Sequence, residues 1–304
     1  MKNTLHAARK AERGFTLVEA IAAILVLSVM AIGLTRFITF SAEGYLDTSQ
    51  RNQLSAAGRV VIERMTMELH NALPNSVRTT SVFMAGDPEV TAGLNAGDQC
   101  LEFFPVIAAS TYINAAFHPS ASTNTVSVVA FNPAQTTGDY AVIYPRSIAD
   151  LYKDTLANPG HVAGVASIVA SPSITDVDVV NLTPTHTFRR RSPEDRFYLV
   201  EDPVSFCVNG DRLYRYQGYA ISTDQPLPTD SGGSCPPALD PCLPASVSGG
   251  RTLIATDLDN DGHTAFDHLA ATLRRNAIVQ FEFNFTRDGE SVTMNHEVML
   301  HSAP

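Results

Sequence analysis

The 304-residue sequence predicts an α+β protein, a long N-terminal α-helix packed on an antiparallel β-sheet head. Three observations predict this class. An uncharged apolar run extends from Ala20 to Leu34. Apolar residues then recur at helical spacing as far as Leu73. From residue 75 onward the chain changes to short β-rich runs separated by Gly, Pro, Asn and Asp. The expected division is a cleaved basic leader at 1–14, a helix at 15–74 with its transmembrane part at 15–34, and a β-rich head at 75–304.

The leader carries Lys2, Arg9, Lys10 and Arg13 against a single acid, Glu12. From Phe15 to Leu34 the chain would span about 30 Å as a helix, the thickness of a bilayer's hydrocarbon core. The basic leader should stay cytoplasmic, so the rest of the chain lies across the membrane. An ordinary secretory signal is cut after its apolar run. Here the one conspicuous junction, Gly14-Phe15, precedes the run, and a cut there leaves the apolar helix on the mature chain.

The string Arg13-Gly14-Phe15-Thr16-Leu17-Val18-Glu19 resembles the class III signal of type IV pilins and type II secretion pseudopilins. The resemblance implies a type IV pilin-like fold, cleavage between Gly14 and Phe15 by a prepilin peptidase, and N-methylation of Phe15. It also implies that Glu19 sets assembly register by pairing with the Phe15 ammonium of a neighbouring subunit. The physics of Glu19 agrees that it needs a partner or a role. A carboxylate in a transmembrane segment costs roughly 2.5–3.5 kcal/mol on insertion scales. After cleavage the Phe15 ammonium lies one helical turn away on the same face. A competing reading leaves Glu19 at a helix N-terminus, stabilised by the dipole and headgroup water.

Past the membrane, Leu54, Gly58, Val61, Met65 and Leu69 form an apolar stripe, with Arg59, Glu63, Arg64 and Glu68 elsewhere on the surface. Pro74 disfavours helix at the preceding residue, so the helix should end near Leu73. Its length would then be about 88 Å if unbroken. Gly33, Gly44 and Gly58 are weak points, each costing about 1 kcal/mol against Ala.

In the head, Val126–Phe131, Tyr140–Tyr144, Arg196–Val200 and Val204–Val208 read as strands. Asn209-Gly210 marks a hairpin into Leu213–Tyr216, and Asp288-Gly289 marks a C-terminal hairpin between 277–286 and 291–300. Residues 222–250 read as a loop. Short head segments, among them Cys100–Val106, Pro203–Cys207, Leu213–Tyr216 and Asn295–Val298, resemble the O-type minor pilins of the mannose-sensitive haemagglutinin (MSHA) pilus. That family would carry a cysteine in the strand after Leu253-Ile254-Ala255, where this chain has the acidic segment 257–262.

Four cysteines, none in a CxxC pair, give no zinc ribbon and no thioredoxin-type site. In an exported head they suggest disulfides. Cys235 and Cys242 lie seven apart in a Pro-rich loop, which favours a local bridge and leaves Cys100 to Cys207. Asp257, Asp259 and Asp261 with Gly262 match the opening of a calcium loop, but position twelve is His268 rather than Glu. A solvated acidic turn is the simpler reading, and calcium is the one cofactor candidate. His296 and His301 have the wrong spacing for a zinc-protease motif and sit in a strand-like segment. Arg189-Arg190-Arg191 reads as a solvated loop, and a net charge of −10 argues against general nucleic-acid binding.

These readings converge on a minor pilin rather than an enzyme, held in the inner membrane with its head in the periplasm. It would prime or cap assembly with the major pilin, other minor pilins and the inner-membrane platform. The nearest rival is a J-type minor pseudopilin of type II secretion. A membrane-anchored periplasmic binding protein or enzyme is the third. A K-type pseudopilin is disfavoured because that type generally lacks the glutamate.

Overall fold

The computed structural model describes residues 15–79, 100–153, 155–228, 242–260, 263–271 and 275–300. The chain divides into two compact units, residues 1–52 and 53–304. The α+β expectation holds: a long apolar helix is followed by antiparallel sheets.

Helix α1 runs Leu17–His70. Thr16 caps it: the Glu19 amide donates to Thr16 Oγ1 at 3.3 Å and the Ala20 amide to the Thr16 carbonyl at 3.1 Å. The helix stops three residues before the expected Leu73, because the backbone beyond it is drawn into other pairing. The Leu73 amide donates to the Phe104 carbonyl at 2.8 Å, and the Val106 amide to the Asn71 carbonyl at 2.8 Å.

Within residues 53–304, the last turns of α1 bury Leu54, Val61, Ile62, Met65 and Leu69. They pack against two antiparallel sheets. The first comprises β1 (Arg78–Thr79), β2 (Cys100–Phe103), β9 (Val204–Asn209), β10 (Arg212–Tyr216) and β11 (Arg251–Ala255), in the order β1-β2-β9-β10-β11. The second is β12 (Phe266–Leu269), β13 (Ile278–Arg287) and β14 (Glu290–Met299), in chain order. Strand β13 alternates cleanly: Val279, Phe281, Phe283 and Phe285 are buried and join the helix in one core. Asp288 and Gly289 both have positive φ, the backbone a two-residue type I′ hairpin turn requires. In the other hairpin Asn209 ends β9 opposite Arg212, so the turn residues are Gly210 and Asp211.

Gly58 is more than a weak point in the helix. A Cβ there would overlap Met294 Sδ and lie 2.8 Å from the Phe285 ring, so glycine lets the helix approach the β13–β14 hairpin.

Between β2 and β9 the chain builds a closed six-stranded barrel. Its strands are β3 (Val106–Asn114), β4 (Thr123–Val129), β5 (Tyr140–Val142), β6 (Val162–Ala170), β7 (Val177–His186) and β8 (Arg196–Val200), in the order β3-β4-β7-β6-β5-β8. A short helix, α2 (Ile148–Leu151), follows β5. The barrel has its own core, including Tyr112, Val126, Ile168, Val180, Phe197 and Leu199. It leaves and re-enters the first sheet at register partners: Phe103 faces Val204 across β2–β9, and Val106 faces Val200 across β3–β8.

Candidate functional site

Assembly chemistry is concentrated at the start of α1. Every large apolar side chain from Phe15 to Leu46 is exposed, ranging from 51% at Ile21 to 79% at Leu17. A window of this helix reaches a mean hydropathy of 2.5 and is unburied. A continuous apolar surface of this extent is stable only against lipid or other apolar helices. Its polar side chains suit such surroundings. The hydroxyls of Ser28, Thr35 and Thr39 donate back to the carbonyls of Ile24, Ala31 and Thr35, the latter two at 2.8 and 2.9 Å. No hydroxyl at these positions therefore needs water.

Glu19 lies in the first turn and is exposed. In the uncut chain the Phe15 nitrogen is a peptide amide, so its ammonium partner arises only on cleavage. Gly14, the other half of the processing junction, lies outside the described residues.

In the head, the chain leaving α1 is held by a buried ionic centre that sequence reading did not single out. The Arg78 Nε donates to Glu102 Oε2 at 2.7 Å, and both side chains are fully buried. Its Nη atoms donate to the carbonyls of Thr223 at 2.7 Å, Ser222 at 3.2 Å and Asp224 at 3.3 Å. The guanidinium also lies 3.6 Å from the Tyr152 ring centroid. Burial pushes the Glu102 carboxyl up, against the opposing pull of Arg78. This centre ties the exit of α1 to β2, to the segment after β10 and to the α2 region of the barrel insert. A second tie joins the helix to β10: Glu68 Oε2 accepts from Arg215 Nε at 2.8 Å.

Cys100 and Cys207, register partners on β2 and β9, form a disulfide. It staples the two strands between which the barrel is inserted. Cys242 is also disulfide-bonded. Cys235, its expected partner, lies outside the described residues.

The acidic segment docks on β13. Asp257 pairs with Arg287 at 2.5 Å, and that hydrogen bond holds its carboxyl below the ordinary range. Asn260 is buried, donating to the Glu282 carbonyl at 2.7 Å and accepting from the Asn284 amide at 3.0 Å. The Asp259 amide donates to the Asn284 carbonyl at 2.8 Å. Asp261 and Gly262 lie outside the described residues, as does His301. Among the described residues no group of three His, Cys, Asp or Glu side chains could hold a metal. His296 on β14 stacks on its register partner Phe281 on β13. Arg191 lies 4.8 Å from the Phe117 ring centroid, against the barrel.

Residues 9–35 match the prokaryotic N-terminal methylation motif. Comparison with curated proteins and with solved structures gave no match. The motif, an apolar N-terminal helix and an antiparallel head together support the type IV pilin or pseudopilin class. The class III signal implies processing by a prepilin peptidase and assembly with other pilins, and the apolar helix is consistent with membrane anchoring.

Proposed function

We propose that this chain is a minor pilin of an MSHA-type type IV pilus that primes or caps filament assembly. It works by assembly, without catalysis and without a required cofactor. Its partners are the major pilin, other minor pilins and the inner-membrane platform. It is held in the inner membrane, head in the periplasm, until it joins the filament. The observation that carries the reading is the pairing of a methylation motif at 9–35 with a head that holds a whole closed barrel between β2 and β9. A subunit repeated along a shaft must present surfaces that pack against every neighbour, whereas one at an end has room for such an insert. Deleting the gene should strip the cell of most surface pili, and mass spectrometry of sheared pili should find the subunit in trace amounts beside the major pilin. Normal piliation with failed export of type II substrates would instead identify a J-type pseudopilin.

A further inference from the structure

The two open sheets of the head end on β1, β11, β12 and β14. β1 has two residues, β12 has four, and β11 has five with a register shift against β10. β14 has ten residues, about 30 Å of strand, paired to β13 without a break in register. The two-residue turn at Asp288-Gly289 makes Arg287 and Glu290 a hydrogen-bonded pair, so the even-numbered residues of β14 bond β13. The amides and carbonyls of Ser291, Thr293, Asn295, Glu297 and Met299 point the other way. Among the described residues they meet no backbone partner, and their side chains are exposed. The usual protections of an edge are missing: β14 contains no proline, lysine or arginine and no bulge. On the face toward α1, Val292 and Met294 pack on the helix-to-sheet core but are only partly buried. A strand added at this edge would cover them with its own alternate apolar residues.

The helix decides what that strand belongs to. Met294 lies against Gly58 of α1, so the edge and the helix share one core. Pairing β14 with β14 of a second copy about a two-fold axis would run the two helices in opposite directions, whereas chains anchored in one membrane run the same way. A neighbouring pilin of different sequence carries its helix parallel and can bring an edge strand of either sense. We propose that the outer edge of β14 takes an extended strand from the head of a neighbouring pilin-like subunit, continuing the sheet β12-β13-β14 by one strand; this rests on the assembly role proposed above. In cells that hold the rest of the machinery, the full chain carries a benzophenone side chain at Thr293, on the edge, or at Val60, exposed on α1. After irradiation, adducts are identified by mass spectrometry. Thr293 should link to an edge strand of another chain that has its own class III signal. Asn295→Pro removes an outward amide and no bond to β13, so it should lower that adduct several-fold while the melting temperature of the full chain in detergent is unchanged. Asn295→Lys, which leaves the backbone untouched, carries the test where proline lowers that temperature. If Val60 links to pilins while Thr293 links to none, or only to copies of this chain, or if the Thr293 adduct is indifferent to both substitutions, the strand-addition proposal is overturned and the assembly role stands. No pilin adduct from either position overturns both.

Discussion

Arg78→Met tests whether the buried ionic centre holds the head to its helix. Arg78 and Glu102 have side chains with no solvent exposure. Removing the arginine leaves the Glu102 carboxylate without its countercharge and the Ser222, Thr223 and Asp224 carbonyls without their donor. Breaking a buried pair from one side costs roughly 3–5 kcal/mol, mostly from the charge left behind. Against a domain stability of about 5–15 kcal/mol, that is a large fraction. Arg78→Met/Glu102→Leu removes the stranded charge as well, so it should be more stable than Arg78→Met alone, the two changes coupling by about 0.5–3 kcal/mol. The assay is urea unfolding of residues 53–304 with the disulfides intact, followed by circular dichroism. Arg78→Met within about 1 kcal/mol of the native head, or a double variant no better than the single, would refute the reasoning.

Gly58→Leu should destabilise the same head by about 1–3 kcal/mol through overpacking against Met294 and Phe285; an unchanged urea midpoint would show the contact to be loose. Reducing Cys100–Cys207, which closes a separation of 107 residues, should cost about 4–5 kcal/mol on a chain-entropy account, and Cys100→Ser/Cys207→Ser melting as the native head does would contradict it. The Asp257 carboxyl is held low by Arg287, so its contribution is present above the ordinary carboxylate range and is lost as pH falls through its depressed pKa. Arg287→Gln should therefore shrink the acid-induced fall in melting temperature, while millimolar calcium should leave the native melting temperature unchanged; a calcium-dependent rise abolished by Asp259→Ala would restore the calcium loop. Glu19→Ala should leave cleavage at Gly14-Phe15 largely intact but yield few or aberrant pili, because the Phe15 ammonium then enters an apolar filament core unpaired. A Glu19→Ala strain with normal pili containing the mutant subunit would remove that role.

What was legible in the sequence follows from pattern strength. The apolar run, the helical stripe from Leu54 to Leu69 and the alternation of β13 are long and regular, and each became an element close to its expected bounds. The barrel was legible only in pieces. Strand β6 is rich in small residues, with Ala163, Gly164 and Ala166, and β7 contains Pro184, which ordinarily argues against a paired strand. Strand β3 buries only Tyr112 fully, so its alternation is faint. Closure depends on pairings such as β3 with β8, which join residues far apart in sequence and leave no local trace. The ionic centre was hidden for the same reason. Arg78 and Glu102 are 24 residues apart, and nothing local distinguishes them from surface charges. The acidic segment was read from its carboxylates alone, whereas its geometry is set by Asn260 and by Arg287 on a distant strand.

The placement of the barrel explains how the head can be large without disturbing the helix-to-sheet core. An insertion perturbs its host least when its two ends already lie side by side, because little chain entropy is then lost in closing the gap. Phe103 and Val204 are register partners, and Cys100–Cys207 fixes the same two strands three register pairs further along. The host contacts that hold the helix, from Leu54 to Leu69 against Phe206 and Phe283, lie in a separate cluster from the barrel core. The two are joined through Leu73, Phe104, Val142, Tyr152 and Val200, a smaller cluster at the exit of α1. Arg78 stacks on Tyr152 at this junction while its charge is held by Glu102 on the host sheet. Force on the barrel therefore reaches the end of the helix through this cluster, the stapled strand pair and the buried ionic centre. Changes elsewhere on the barrel surface can alter what the head presents without altering how the helix is held.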